Sequence, residues 1–105
     1  MRVVDCGPQS WYLFDDGENL YLDARYVYSA LIDDSVLIRL SDAERAAYME
    51  HGHAYLDRLQ EEIHNSGPYV DGTPYSRRDL YRQDGGAARR RAVGSAVSAW
   101  RADRA

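Results

Sequence analysis

The spacing of the apolar residues changes at Ser41, and that change limits the kind of fold open to the chain. Before it, short runs of β-branched, aliphatic and aromatic residues are separated by Gly, Pro and Asp clusters, the pattern of strands joined by tight turns. After it apolar residues recur every three or four positions, as on one face of a helix. Ser41-Asp42-Ala43-Glu44 has the form of a capping box, in which the serine hydroxyl accepts an amide three residues on and the glutamate reaches back to the cap amide. A helix is therefore predicted from Ser41 to about Ser66, where Gly67-Pro68 supplies a left-handed residue and a stop. Tyr48, Gly52, Tyr55, Leu56, Leu59 and Ile63 form its apolar stripe. Gly52 costs about 1 kcal/mol against alanine inside a helix, and its place on the stripe is read as close approach to a strand.

The sheet that this stripe needs is expected from the first forty residues. Residues 2–6 read as an edge strand ended by Gly7-Pro8. Residues 10–14 and 19–23 flank Asp15-Asp16-Gly17-Glu18, a turn of hairpin length. Residues 26–32 and 35–40 are again β-branched and aromatic, with Asp33-Asp34 read as a tight turn between them. Val36, Ile38 and Leu40 share one face, expected to be the core, with Leu37 and Arg39 on the other. Leu20 and Leu22 share a face from which Tyr21 points away, and Tyr26, Tyr28, Ala30 and Ile32 are grouped together. Residues 67–86 read as a long loop with one turn near 77–82, and a last helix over about 87–102 places Ala92, Val93, Ala96, Val97 and Trp100 on one face. The predicted class is α+β: an antiparallel meander of three to four strands packed by a long amphipathic helix, then an irregular segment and a C-terminal helix, in one domain of 105 residues.

Composition narrows the chemistry. The single cysteine, Cys6, rules out an internal disulfide and a thiolate metal cage. All 13 cationic residues are arginine, which removes Schiff-base lysines and the phosphate lysine of a Walker motif. Arginine without lysine, with abundant alanine, is read as the coding bias of a GC-rich bacterial or phage genome and carries no functional weight. With no cationic leader and no long apolar run, the chain is expected to start near Met1, to avoid membranes and to reside in the cytoplasm.

Candidate catalytic groups do not converge. His51, His53 and His64 lie on the helix, but His53 and His64 are about 16 Å apart along its axis. His53 and Asp57 supply at most two ligands where zinc takes three or four. Cys6 has no nucleophile motif around it, and the pairs Asp15-Asp16, Asp33-Asp34 and Glu61-Glu62 point apart on strand or helix. No metal, cofactor or catalytic residue is assigned.

Charge is unevenly distributed. Residues 1–65 hold 13 of the 17 acids and five arginines, whereas residues 66–105 hold four acids and eight arginines. Nine tyrosines and two tryptophans accompany a single phenylalanine, a composition suited to binding surfaces. Trp11, Tyr12, Asp15, Asp16, Glu18, Tyr21 and Asp23, on and beside the hairpin, are predicted to form an acidic aromatic patch that engages a basic protein. The bland alternative is a tyrosine-rich face covered by the terminal helix. A chain of this size and charge is similar in general character to bacterial immunity proteins that neutralise toxins, which implies a non-catalytic inhibitor or antitoxin-like role. The competing reading is a nucleic-acid module using Arg77, Arg78, Arg82, Arg89, Arg90 and Arg91, with Tyr75, Tyr81 or Trp100 for stacking; an acidic pI near 5.2 weighs against it. Homo-oligomerisation stays open. Arg89-Arg90-Arg91 opposes the macrodipole at the start of the last helix, so an acidic neighbour is expected there.

Overall fold

The computed structural model of the chain describes residues 1–8, 10–29 and 32–104. Four strands, β1 (Arg2–Gly7), β2 (Trp11–Asp15), β3 (Leu20–Ser29) and β4 (Ile32–Arg39), form an antiparallel sheet in chain order. Helices α1 (Asp42–His51) and α2 (His53–Asn65) follow, then the short α3 (Pro74–Arg78), a 3₁₀ turn (Leu80–Arg82) and α4 (Gly86–Arg104). The α+β class is as the residue pattern predicts.

The hairpin closes where its turn residues require. Asp15 Oδ1 accepts from the Gly17 amide at 2.7 Å, and Asp16 Oδ1 accepts from Glu18 and Asn19 at 2.9 and 2.8 Å. Side chains of Asp serve such turns because they replace missing backbone partners. Beyond the hairpin, the readings at 19–23 and 26–32 merge into the single strand β3, since Ala24 is fully buried and keeps the alternation intact. Asp33 and Asp34 belong to β4, paired with Val27 and Tyr26, and not to a turn. Asp33 is accommodated there because its carboxylate meets Arg25 across the strands at 2.7 and 3.1 Å. Ala30 lies outside the described residues, as do the side chains of Tyr28 and Ile32 with which it was grouped.

Helix α1 starts as predicted: Glu44 N–H donates to Ser41 Oγ at 3.2 Å and Ser41 N–H donates to Glu44 Oε1 at 2.8 Å. The predicted continuous helix is broken at Gly52, whose φ of 67° and ψ of −145° end α1 and start α2. No heavy atom lies within 4 Å of where a β-carbon would sit on Gly52. The glycine therefore serves a backbone turn that other residues rarely adopt, not close approach to a strand. The last helix spans two more residues at its end than the periodicity suggested, and the loop before it contains α3 and the 3₁₀ turn.

Both sheet faces are cores. Trp11, Leu13, Leu20, Leu22, Ala24, Tyr26, Val36, Ile38 and Leu40 pack under Leu56, Leu59 and Ile63 of α2. On the opposite face Val3, Phe14, Tyr21 and Leu37 pack under Val93 and Ala96 of α4, with Tyr12, Leu80, Tyr81, Val97 and Trp100 around them. Period-2 alternation puts successive side chains on opposite faces, so a strand such as Val36-Leu37-Ile38 needs cover on both sides. The face carrying Tyr12 and Tyr21 is thus covered by the terminal helix.

Candidate functional site

The hairpin patch expected from composition is divided by the sheet. Trp11 is 1% exposed on the α2 face, where its indole N–H donates to Asp57 at 2.9 Å. Tyr21 is 7% exposed on the α4 face, its hydroxyl donating to Asp16 at 2.9 Å. Asp23 lies under the same helix and accepts the hydroxyls of Tyr81 and Ser35. Burial pushes the Asp23 carboxyl above its ordinary range, even though those hydroxyls and Arg90 act in the other direction. Tyr12 is half-buried, edge-on to Trp100 with ring centroids 5.9 Å apart, and its hydroxyl accepts from Arg101 at 3.1 Å. Of the seven residues, Asp16 and Glu18 alone are exposed, with Tyr12, Asp15 and Asp23 partly so. Asp15 and Asp16 are engaged by the turn amides, and those of Asn19 and Glu18 hold the Asp16 carboxyl below its ordinary range. Trp11 and Tyr12 sit at one end of β2 and Asp15 at the other, so anchors and acids do not share one exposed face.

The histidines separate in the same way. His53 lies between two carboxylates, Asp5 at 3.2 Å from Nδ1 and Asp57 at 3.4 Å from Nε2, with its ring 4.8 Å from that of Trp11. Tyr48 donates to the other oxygen of Asp5 at 3.2 Å. This chain of contacts ties α1 and α2 to β1 and β2. Among the described residues no three His, Cys, Asp or Glu side chains are placed to share an ion. Cys6 is half-buried at the end of β1.

The arginines fall into two groups. Arg78 donates to both oxygens of Glu44, at 3.0 and 2.6 Å, and to the Arg39 carbonyl at 2.9 Å. Burial alone would raise the Glu44 carboxyl, but Arg78 and the Ser41 amide together hold it below its ordinary range. Arg82 pairs with Asp71 and Asp79, and Arg90 lies 4.1 Å over the Tyr81 ring and 3.4 Å from Asp34. An acidic neighbour thus exists for one of the three arginines at the start of α4. Arg77, Arg89 and Arg91 form no ion pair among the described residues.

Three clefts border α4, two of them beside its ends. A groove of about 390 Å³ at its C-terminal end is lined by Trp11, Tyr12, Trp100 and Arg101 among others. The second, of about 480 Å³, is lined by Tyr21, Arg39, Arg77, Arg78, Leu80, Gln83 and Arg89. Arg39 had no place among the candidates read from the sequence. It projects from the last residue of β4, and nothing in the local pattern sets it apart from any outward strand residue.

The fold also gathers acids that composition did not single out. Residues 42–65, the α1–α2 layer, carry six acids against two arginines. Asp42, Glu50, Asp57, Glu61 and Glu62 are exposed, and none of them pairs with an arginine among the described residues. Helix α1 buries none of its side chains, and Met49 is 75% exposed on it.

No protein-family model matches the chain, and comparison with curated proteins and with solved structures gives no match. Among the described residues no helix is long and apolar enough to cross a membrane.

Proposed function

We propose that this chain is a non-catalytic binding module whose acidic α1–α2 layer engages a basic protein, as a small inhibitor of the immunity type would. The observation that carries the reading is the set of five exposed acids on that layer that pair with no arginine among the described residues, beside an exposed Met49 on α1. Acids on a rim speed encounter with a basic surface, and an exposed methionine supplies the apolar contact that slows departure. The binding surface is thereby assigned to the helices and not to the hairpin. Asp16 and Glu18 remain available to extend its electrostatic field.

The test is capture from a lysate of the producing cells, comparing the wild type with the triple variant Glu50→Gln, Glu61→Gln, Glu62→Gln. A basic protein held by the wild type at low salt, and released by salt or by the triple substitution, is the expected result. Equal retention of the same proteins by both baits would overturn the reading, as would an acidic partner.

A further inference from the structure

The cleft of about 480 Å³ brings together guanidinium groups from three elements distant in sequence: Arg39 from β4, Arg77 and Arg78 from α3, and Arg89 from the first turn of α4. Among the described residues no carboxylate lines it. Arg78 is held in place by its two bonds to Glu44, so its charge is balanced from behind. Arg39, Arg77 and Arg89 have no such partner among the described residues, and Arg89 lies 5.9 Å over the ring of Tyr21. Like charges held together repel, and the positive end of α4, which has no acid in its first turn, adds to the field. Arg39 and Arg77 make no ion pair or ring contact among the described residues that would account for their place in the cleft. An oxyanion between the three guanidinium groups would neutralise them.

We propose that this cleft binds the phosphate group of a small phosphorylated molecule. Arginine presents paired N–H donors that match phosphate oxygens two at a time, and a dianion can use several such forks where a single carboxylate saturates with one or two. Gln83 adds a neutral donor, and Leu80 with Tyr21 forms the apolar wall against which the rest of the ligand would lie. The size is that of an ordinary small-molecule site. An extended nucleic-acid strand fits less well, because it needs charges spaced along a track. Here Arg82 and Arg90 are committed to Asp71, Asp79 and Asp34, whereas Arg39, Arg77 and Arg89 line one cleft.

The experiment is an NMR titration of the full chain with pyrophosphate. The wild type is expected to saturate at one site, with shifts at Tyr21, Leu80, Gln83 and Arg89. Arg77→Gln with Arg89→Gln should weaken binding about tenfold or more, since each removes charge-assisted bonds. Arg58→Gln with Arg91→Gln removes the same charge outside the cleft and should leave affinity within about twofold. Both pairs change exposed or half-exposed side chains, and circular dichroism verifies that they fold. Unsaturable binding, or equal weakening by the two double variants, would mean that pyrophosphate senses only net charge and would overturn the proposal. So would a single-stranded oligonucleotide that binds more tightly than pyrophosphate and shifts residues well beyond the cleft.

Discussion

Asp79 closes the edge of the sheet at Leu37: its carboxylate accepts the Leu37 amide at 3.1 Å and, through the same oxygen, the Tyr81 amide at 3.0 Å. One side chain thus replaces the strand that β4 lacks and caps the 3₁₀ turn. Asp79 is 3% exposed, so removing it strands buried donors. Asp79→Ala is expected to cost about 1–3 kcal/mol or more, as buried unsatisfied amides do, with Asp79→Asn restoring part of the loss. Urea midpoints of the two variants check this. Equal midpoints for alanine and wild type would show that β4 has no need of the cap.

Glu44 and Arg78 set a different dependence on pH. The folded state favours ionised Glu44, whose carboxyl lies below its ordinary 4.5. Its contribution is complete above that value and is lost as the pH falls through the lower folded one. Asp23 and Asp79, raised above the ordinary 3.8 by burial, act in the opposite sense and gain stability as the pH falls through their folded values. Glu44→Gln should therefore cost about 1–3 kcal/mol at neutral pH and progressively less as the pH falls below the ordinary 4.5. A cost that stayed constant with pH would show that the pair acts through packing and not through charge.

The parts of the fold legible in the sequence are those fixed by local chemistry. The Asp15–Asp16 turn and the Ser41–Glu44 box each complete their bonds within a few residues, so their side chains announce the structure. Asp33 misleads because a carboxylate that favours turns can equally sit on a strand beside Arg25. The second core is legible only as the alternative of a tyrosine-rich face covered by the terminal helix, since Leu37 is the one apolar residue on its side of the predicted strand 35–40, where polar Arg39 accompanies it. The arginine cleft was illegible for a deeper reason: Arg39 and Arg89 are fifty residues apart, and only the return of α4 to the sheet joins them.

Gly52 and Gly94 make a contrast that separates backbone conformation from helix propensity. Gly52 has positive φ with ψ near −145°, and an alanine there would be strained despite open space; the expected cost is about 1–3 kcal/mol. Gly94 lies inside α4, exposed and with nothing within 4 Å of a new β-carbon. Gly94→Ala should stabilise by about 0.4–1 kcal/mol through the unfolded state. Thermal melts of the two variants should move in opposite directions. A stabilising Gly52→Ala would mean that α1 and α2 run as one helix.

The charge asymmetry of the chain is turned by the fold into opposed layers, and α4 is the element that makes this possible. It covers Phe14 and Leu37, both fully buried, and Tyr21. Its start is pressed on the 3₁₀ turn so closely that a β-carbon on Gly86 would overlap the Tyr81 carbonyl oxygen. Deleting residues 86–105 should expose an apolar sheet face, of the kind that binds hydrophobic dyes and drives association. Val93→Asp, which buries an unpaired charge in the same core, should act in the same direction without shortening the chain. Dye binding and sedimentation measure both. A truncated chain that stayed monomeric, bound no dye and melted cooperatively at the wild-type temperature would show that α4 is a tethered appendage. In that case the face with Tyr12, Tyr21 and Asp23 would again be open to an external partner.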